Sequence, residues 1–413
     1  MQHFGVWQNA WKDGYDEPID LTLPDDWDVE LCPLAGDTMP ALTKDQMRER
    51  ILSPIGMEPI RALAAKGSQA VIVFDDLSRG TPVQPIAEIV LEELMAGGIE
   101  KQNIRFICAL GTHGALNRAD MVRKLGEDIV RNYHVYNHNP FANLVELGRD
   151  KADVPILVNR ELMECDVRIG IGSIAPHPMN GFGGGVKMLF PGLAGIETTM
   201  GNHGRGEFTY AGNQKADFGF RQDVESFTHM VGSFFKIDAV INSKLDVVDL
   251  YAGDVIAEFY EAIKSGAVAY ACNLHAPADV VVANANAKFN EANIAVCVAA
   301  EAVKPGGDIV LINYCETGAA IHYLFGAFGL NTGGPLFMPY ENRPPVPYGR
   351  VIYYTPWPDP SSLFLYDCPD AVVFATTWDE VLALLAERHG AGTTAAVMSD
   401  ATISYFPPQT ASD

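Results

Sequence analysis

Three short stretches hold side chains whose types and spacing could do chemistry. The richest is Gly172–His203, GSIAPHPMNGFGGGVKMLFPGLAGIETTMGNH, which gathers His177, Lys187 and His203 around the glycine-rich run Gly181–Gly185. Glycines let a backbone approach a ligand closely, so a Gly-rich loop running into a Lys suggests a cradle for an anion. It is not a Walker loop, which needs Gly before the Lys and Ser or Thr after it; Val186 and Met188 stand there. Gly170–Ala175 mimics a dinucleotide fingerprint, but Pro176 and Pro178 follow where the helix would have to propagate. The second stretch, Gly111–Thr112–His113–Gly114, places a histidine directly after a strand-like run, as His177 is placed later. Two such imidazoles near one site could serve as an acid/base pair, because they titrate near physiological pH. The third stretch carries Asp75, Asp76 and Arg79. Spacing alone leaves two readings there: a capped turn with a surface ion pair, or an Arg79 clamp for a carboxylate or phosphate supported by Asp76.

Most histidines invite a blander reading. His3, His229, His275, His322 and His389 are read as surface or packed residues. His134 and His138 are four apart, but HVYNHNP reads as extended, so they would not share a helical face as metal ligands do.

The elements that must position these groups follow from periodicity. AVIVFDD (70–76) and IRFICAL (104–110) read as buried strands. Helices are expected over 85–95, where apolar residues recur at helical spacing, and near 117–125. HVYNHNP, PILVN and DVRIGIG continue the series. Strands alternating with helices imply a mostly parallel sheet with helices on its faces, and ligands in such sheets sit beyond the carboxyl ends of strands. DDLSRG, GTHG and GSIAPH all fall there. A second alternation begins near residue 273, with helices expected near 291–303, 318–328 and 378–388. The fold class expected is therefore α/β, two lobes with mostly parallel sheets and a cleft between them, divided as residues 1–270 and 271–413. The Pro/Gly-rich stretch Gly333–Gly349 is a long loop able to line that cleft.

Composition narrows the function classes. The chain has 413 residues, 29 Lys plus Arg against 52 Asp plus Glu, and a formal net charge of −23. That balance disfavours nucleic acid and anionic membranes as partners. Seven scattered cysteines without a CxxC pair read as free buried thiols of a reducing compartment. With no secretory signal and no apolar run long enough for a membrane helix, a cytoplasmic location is expected.

At these residues the chain resembles the lactate racemase family, enzymes that carry a nickel-pincer nucleotide. The blocks that carry the resemblance are DLTLPDDWDVELCPL, PIGMEPIRALA, DDLSRGTP, GTHGALNRADMVRKLGEDI, YNHNP and HPMNGFGGGVKMLFPGLAGIETTMGNH, covering roughly the first half. The second half rests mainly on VKPGGDIVLINYCETG. The resemblance implies that Lys187 is the covalent attachment point of the nucleotide, a pyridinium-3-thioamide-5-thiocarboxylic acid mononucleotide, on the loop of Gly184 and Gly185. It implies His203 as the protein ligand to nickel, with Lys187 beside it at the metal. His113 and His177 would be the acid/base residues on opposite faces of a 2-hydroxy acid, Arg79 would bind its carboxylate, and Asp76 would support the site. The implied mechanism is proton-coupled hydride transfer: one His removes the C2 hydroxyl proton as the C2 hydride moves to the cofactor. The planar keto acid then takes hydride back on its other face. Cofactor biosynthesis and loading proteins would be partners, and self-association is left open.

One departure bears on substrate. Where the family carries a Tyr/Phe-Gln-x-x-Lys run that contacts substrate, this chain has Phe289–Asn290–Glu291–Ala292–Asn293. Asn290 stands for the Gln and Asn293 for the Lys. Losing that cation removes a charge-assisted contact of about 1.5–3 kcal/mol, so the expected activity is racemisation or epimerisation of a larger or more polar 2-hydroxy acid than lactate. The competing readings are a homologue that binds the cofactor without racemase activity, and a metal or acid/base enzyme that uses His113 and His177 without the pincer. A third is a two-lobed small-molecule receptor.

Overall fold

The computed structural model describes residues 1–12, 14–215, 218–327 and 334–407. Two six-stranded sheets form its framework. In the first, the order across the sheet is Val247–Asp254, Phe235–Ile241, Val167–Ser173, Ala70–Phe74, Ile104–Cys108 and His134–Asn137. All neighbours pair in parallel except the edge strand Val247–Asp254. The inner strand Ala70–Phe74 is buried along its whole length, which is why it reads as an unbroken apolar run without alternation. The helix Val83–Ala96 covers it with Ile86, Ile89, Val90 and Leu94, the face that periodicity anticipates.

The second sheet runs Val372–Ala375, Arg350–Tyr354, Val303–Ile312, Ala278–Asn284, Thr394–Met398 and Asp28–Cys32, and its pairs are all parallel. Its last strand comes from the N-terminal part of the chain. The hairpin Gln2–Val6 and Ile19–Leu23 packs on the same layer, with Phe4, Val6, Leu21, Leu23 and Trp27 against Val280, Val282 and Val310. Residues 2–32 thus belong structurally with the second sheet although they lie within the 1–270 stretch. Their alternation gives the face they bury but not the sheet they join.

Two expected elements differ. PILVN forms a strand, Pro155–Asn159, but pairs antiparallel with Leu144–Arg149 in a separate two-stranded sheet. No helix forms over residues 318–327; the chain runs there through turns tied to the first lobe by Tyr323 N–H to Thr112 O (2.8 Å) and Gly114 N–H to Ile321 O (3.0 Å). The two glycines in that stretch and the demand of backbone pairing across the cleft outweigh helical spacing. Phe328 lies outside the described residues, as does Gly333 of the long loop. All seven cysteines are free; five are buried, Cys368 is half-buried and Cys297 is exposed. Among the described residues no helix is long and apolar enough to cross a membrane.

Candidate functional site

The carboxyl ends of both sheets face one cavity of about 640 Å³, the position that parallel α/β architecture assigns to ligands. Asp75 and Asp76 follow the strand Ala70–Phe74, and Asp76 folds the turn back on itself by accepting the Ser78 N–H at 3.0 Å. Arg79, next along, puts Nη1 2.6 Å from Glu291 Oε2 of the other lobe. His113 follows the strand Ile104–Cys108. Its turn is tied to the lysine loop by Gly111 N–H to Gly192 O (2.9 Å) and Gly192 N–H to Lys187 O (3.0 Å). His177 follows the strand Val167–Ser173.

Beneath the turns lies a buried cation. Lys124, on the helix Arg118–Leu125, ends 2.7 Å from Asp75 Oδ1 and donates to the carbonyls of Asp76 (2.9 Å) and Arg79 (2.8 Å). It ties together the chain on which Asp76 and Arg79 sit, and the Trp11 ring covers it at 4.5 Å.

The two loop histidines sit in opposite environments. His113 Nδ1 is 2.6 Å from Asp76 Oδ2. Burial by itself would depress this imidazole, but the Asp76 carboxylate, helped by Glu291, outweighs it and raises the pKa. Burial likewise works against the Asp76 anion, yet His113 and Arg79 hold it well below the usual carboxylate range. For His177 both effects act downward: burial, then the charges of Lys187 and Lys288, keep it well below the ordinary value. One imidazole thus favours its protonated form and the other its neutral form.

The partners of His177 decide a second protonation state. Its Nδ1 accepts the Met179 N–H at 3.1 Å, which places the ring proton on Nε2. Nε2 lies 2.9 Å from Lys187 Nζ. An Nε2–H can only donate there, so it needs an unprotonated amine to receive it. Charge acts in the same direction: burial, then Arg79, Arg221 and Lys288, pull Lys187 down to about 7, where the neutral amine is well populated. Lys187 therefore offers a neutral, nucleophilic amine. Gly184 and Gly185 carry positive φ values of 88° and 54°, and Gly185 N–H donates to Asp238 Oδ2 at 2.6 Å, which anchors the loop behind the lysine.

His203, on the helix Ile196–His203, hydrogen-bonds the Thr199 carbonyl through Nδ1 at 2.9 Å. The proton is on that side, so the Nε2 lone pair is left for a metal. Burial keeps the ring neutral, down at about 4. Among the described residues no three metal-ligating side chains converge. A metal here would take one imidazole from the protein and its remaining ligands from a bound organic group. A planar sulfur–carbon–sulfur pincer nucleotide joined to a lysine fits that donor set.

All the residues singled out in the sequence, His113, His177, Lys187, His203, Asp76, Arg79, Gly184, Asn290 and Asn293, line this cavity except Gly185, which lies just behind the loop. Arg79 is not a free clamp, because Glu291 already holds one of its nitrogens. Asn290 Oδ1 is buried with no hydrogen-bond partner among the described residues.

Three cavity residues escape the sequence reading. Lys288, one residue before Phe289, places a buried ammonium in the cavity, 3.4 Å from the Pro176 carbonyl. Burial and Arg79 pull it down to about 8. Lys288 thus supplies a cation to the cavity wall that Asn293 also lines. Glu291 is the second; burial opposes its charge, but Arg79, His113 and Lys288 hold it at about 2. Both follow a buried strand, the signal that singled out His113. The third is His322, read above as a surface or packed histidine. It bridges the backbone of His113, and the two rings stand 5.0 Å apart. Nothing in its local sequence marks it, since only the pairing across the cleft brings it there.

Residues 15–215 match the family model described as the lactate racemase N-terminal domain. The chain is similar to the lactate racemase of Lactiplantibacillus plantarum, 29% identical over 223 residues, 52% of either chain. It is similar to the lactate racemase of Thermoanaerobacterium thermosaccharolyticum, 26% identical over 288 residues, 67% of this chain and 66% of the relative. The matches thus span about half and just under two thirds of these curated relatives. Among solved structures, the lactate racemase apoprotein from T. thermosaccharolyticum superposes with a TM-score of 0.74 at 18% identity, covering 98% of this chain and 100% of the other. A protein from Thermotoga maritima gives 0.66 at 17% identity, covering 88% and 98%. At those identities the two structures show the shared α/β fold.

Proposed function

We propose that this chain, whose residues 15–215 match the lactate racemase N-terminal domain, racemises or epimerises a 2-hydroxy acid at C2 with a nickel-pincer nucleotide held on Lys187. The observation that carries this reading is the 2.9 Å contact between Lys187 Nζ and His177 Nε2, whose tautomer leaves the lysine a free amine. When bound, the nucleotide with its nickel supplies a centre that takes up and returns hydride. Everything else is done by the protein's own side chains. Lys187 would attach the nucleotide, His203 Nε2 would face the metal, and Gly184, packed against Ile174 and Asp238, would fix the loop that presents the lysine. Arg79 would turn the nitrogens not held by Glu291 to the substrate carboxylate.

His177, held neutral, would take the C2 hydroxyl proton on a ring nitrogen released from its present partners, the Met179 N–H and Lys187. His113, kept protonated by Asp76, is ready to give one to the same oxygen after the centre has inverted. The opposite enantiomer needs the two roles exchanged, so a single His could not serve both directions. Such positioned proton transfers contribute about 10²–10⁴-fold each.

The test is intact-mass spectrometry with peptide mapping after co-expression with pincer-nucleotide biosynthesis and loading proteins and nickel, beside a known lactate racemase as control. The expected result is a nucleotide-sized adduct on Lys187 and nickel bound in equal amount. An unmodified Lys187 next to a loaded control would overturn the proposal and favour acid/base chemistry by His113 and His177 without the pincer.

A further inference from the structure

The second lobe's wall of the cavity differs in character from the rest. Its base is the turn Lys288–Glu291, closed by Glu291 N–H to Lys288 O at 2.9 Å, and Asn293 opens the next helix. Glu291 is ionised and spends Oε2 on Arg79 at 2.6 Å. Its Oε1 lies 3.6 Å from His113 Nε2, beyond a good hydrogen bond. About a sixth of this side chain, 17%, remains exposed. Glu291 Oε1 is thus left without a close partner among the described residues, on a cavity wall that Lys288 and Asn293 also line.

What can lie against that wall follows from charge and hydrogen bonding. An aliphatic or aromatic substrate tail would strip the remaining water from Glu291 Oε1 and offer nothing in return. A second carboxylate would be brought beside an ionised carboxylate, where like charge opposes it. A hydroxyl satisfies both partners at once: it donates to Glu291 in a charge-assisted bond, and its oxygen accepts from Lys288 or from Asn293.

We propose that Glu291, with Lys288 and Asn293, selects 2-hydroxy monocarboxylic acids that carry further hydroxyl groups beyond C2, acids of the aldonic type. This rests on the 2-hydroxy-acid reading above. Glu291 and Lys288 bind the hydroxyls of the chain, while Arg79 takes the carboxylate common to all 2-hydroxy acids. The two contacts predict separable consequences: loss of Arg79 weakens every substrate alike, whereas loss of Glu291, which also orients Arg79, changes the ratio of polyhydroxylated to simple acids.

The experiment is calorimetric titration of the purified full chain with D-gluconate, L-lactate, L-malate and L-3-phenyllactate. It is paired with turnover of the loaded enzyme on the same acids, followed by chromatography that resolves the C2 configurations. Gluconate is expected to bind and turn over at least tenfold better than the other three. Glu291→Gln, nearly the same shape, should lower the ratio of gluconate to lactate affinity at least tenfold, whatever it does to both acids through Arg79. Equal or better binding of lactate, malate or phenyllactate by the wild-type chain would overturn the proposal, and needs no variant to fold. If Lys187 stays unmodified while gluconate is still preferred in the titration, the cofactor reading fails and this one stands. A loaded enzyme that inverts lactate in preference to gluconate would mean the reverse: the cofactor reading stands and the hydroxyl selectivity fails.

Discussion

Asp76 and His113 form an ion pair at 2.6 Å with few routes to water, and its two members shift in opposite directions. The raised His113 contributes stability that is complete below the ordinary value of 6.5 and is lost as pH rises through the folded value. The depressed Asp76 contributes stability present above 3.8 and lost as pH falls toward its folded value. The pair is therefore fully expressed between those two ordinary values. In urea unfolding at a series of pH values, Asp76→Asn should cost most in that window and progressively less above it. The same variant leaves His113 buried without its counter-ion, so its pKa should drop below 6.5, which NMR of ¹³C-labelled histidine reads directly. His113→Asn and His177→Asn should each lower kcat about 10²–10⁴-fold for both configurations of substrate. A loss confined to one configuration would contradict the two-base arrangement.

At the scale of elements, the glycine-to-lysine loop is held by space as much as by bonds. A Cβ on Gly185 would lie 2.6 Å from the Phe259 ring, and one on Gly184 would lie 2.6 Å from Ile174 and 3.0 Å from Asp238 Oδ2. Both residues also have positive φ, a conformation that costs an L residue about 1–2 kcal/mol before any clash. Gly185→Ala should therefore displace Lys187 from His177. The expected result is a fall in the fraction of Lys187 that carries the adduct, larger than the fall in folded protein, with mass spectrometry reading the first and thermal melting the second. Equal falls would mean the loop has only a structural role. The helix Arg118–Leu125 is a comparable case. Its amphipathic pattern is plain, but the reason it matters is Lys124, whose ammonium lies fully buried under the Asp75–Arg79 turn.

For the molecule as a whole, the interior under the site is charged. Lys236 and Asp238, on the strand Phe235–Ile241, pair at 2.5 Å with neither side chain exposed, and burial next to Asp238 pushes Glu258 well above the usual range. Removing one partner of such a pair leaves an uncompensated charge in the core. Asp238→Ala should lower unfolding free energy by about 3–5 kcal/mol, seen as a shift of the urea midpoint at unchanged slope. A loss below about 1 kcal/mol would show that Lys236 finds another partner. Much of the framework around that interior is legible in the order of residues alone. Unbroken apolar runs such as Ala70–Phe74 announce inner parallel strands, because a strand covered on both faces has no polar side to show. Polar turns after those runs mark where Asp76, Arg79, His113 and His177 meet, because parallel strands deliver their carboxyl ends to one edge. Periodicity does not say that residues 28–32 join the second sheet, since an edge strand's partner is set by the whole sheet and not by its own five residues. Nor does it say that Glu291 occupies Arg79, that Lys288 reaches the Pro176 carbonyl, or that His322 stands beside His113. Each of these is a contact between lobes, joining residues far apart along the chain. No local pattern encodes such a pairing; the packing of the two sheets across the cleft creates it.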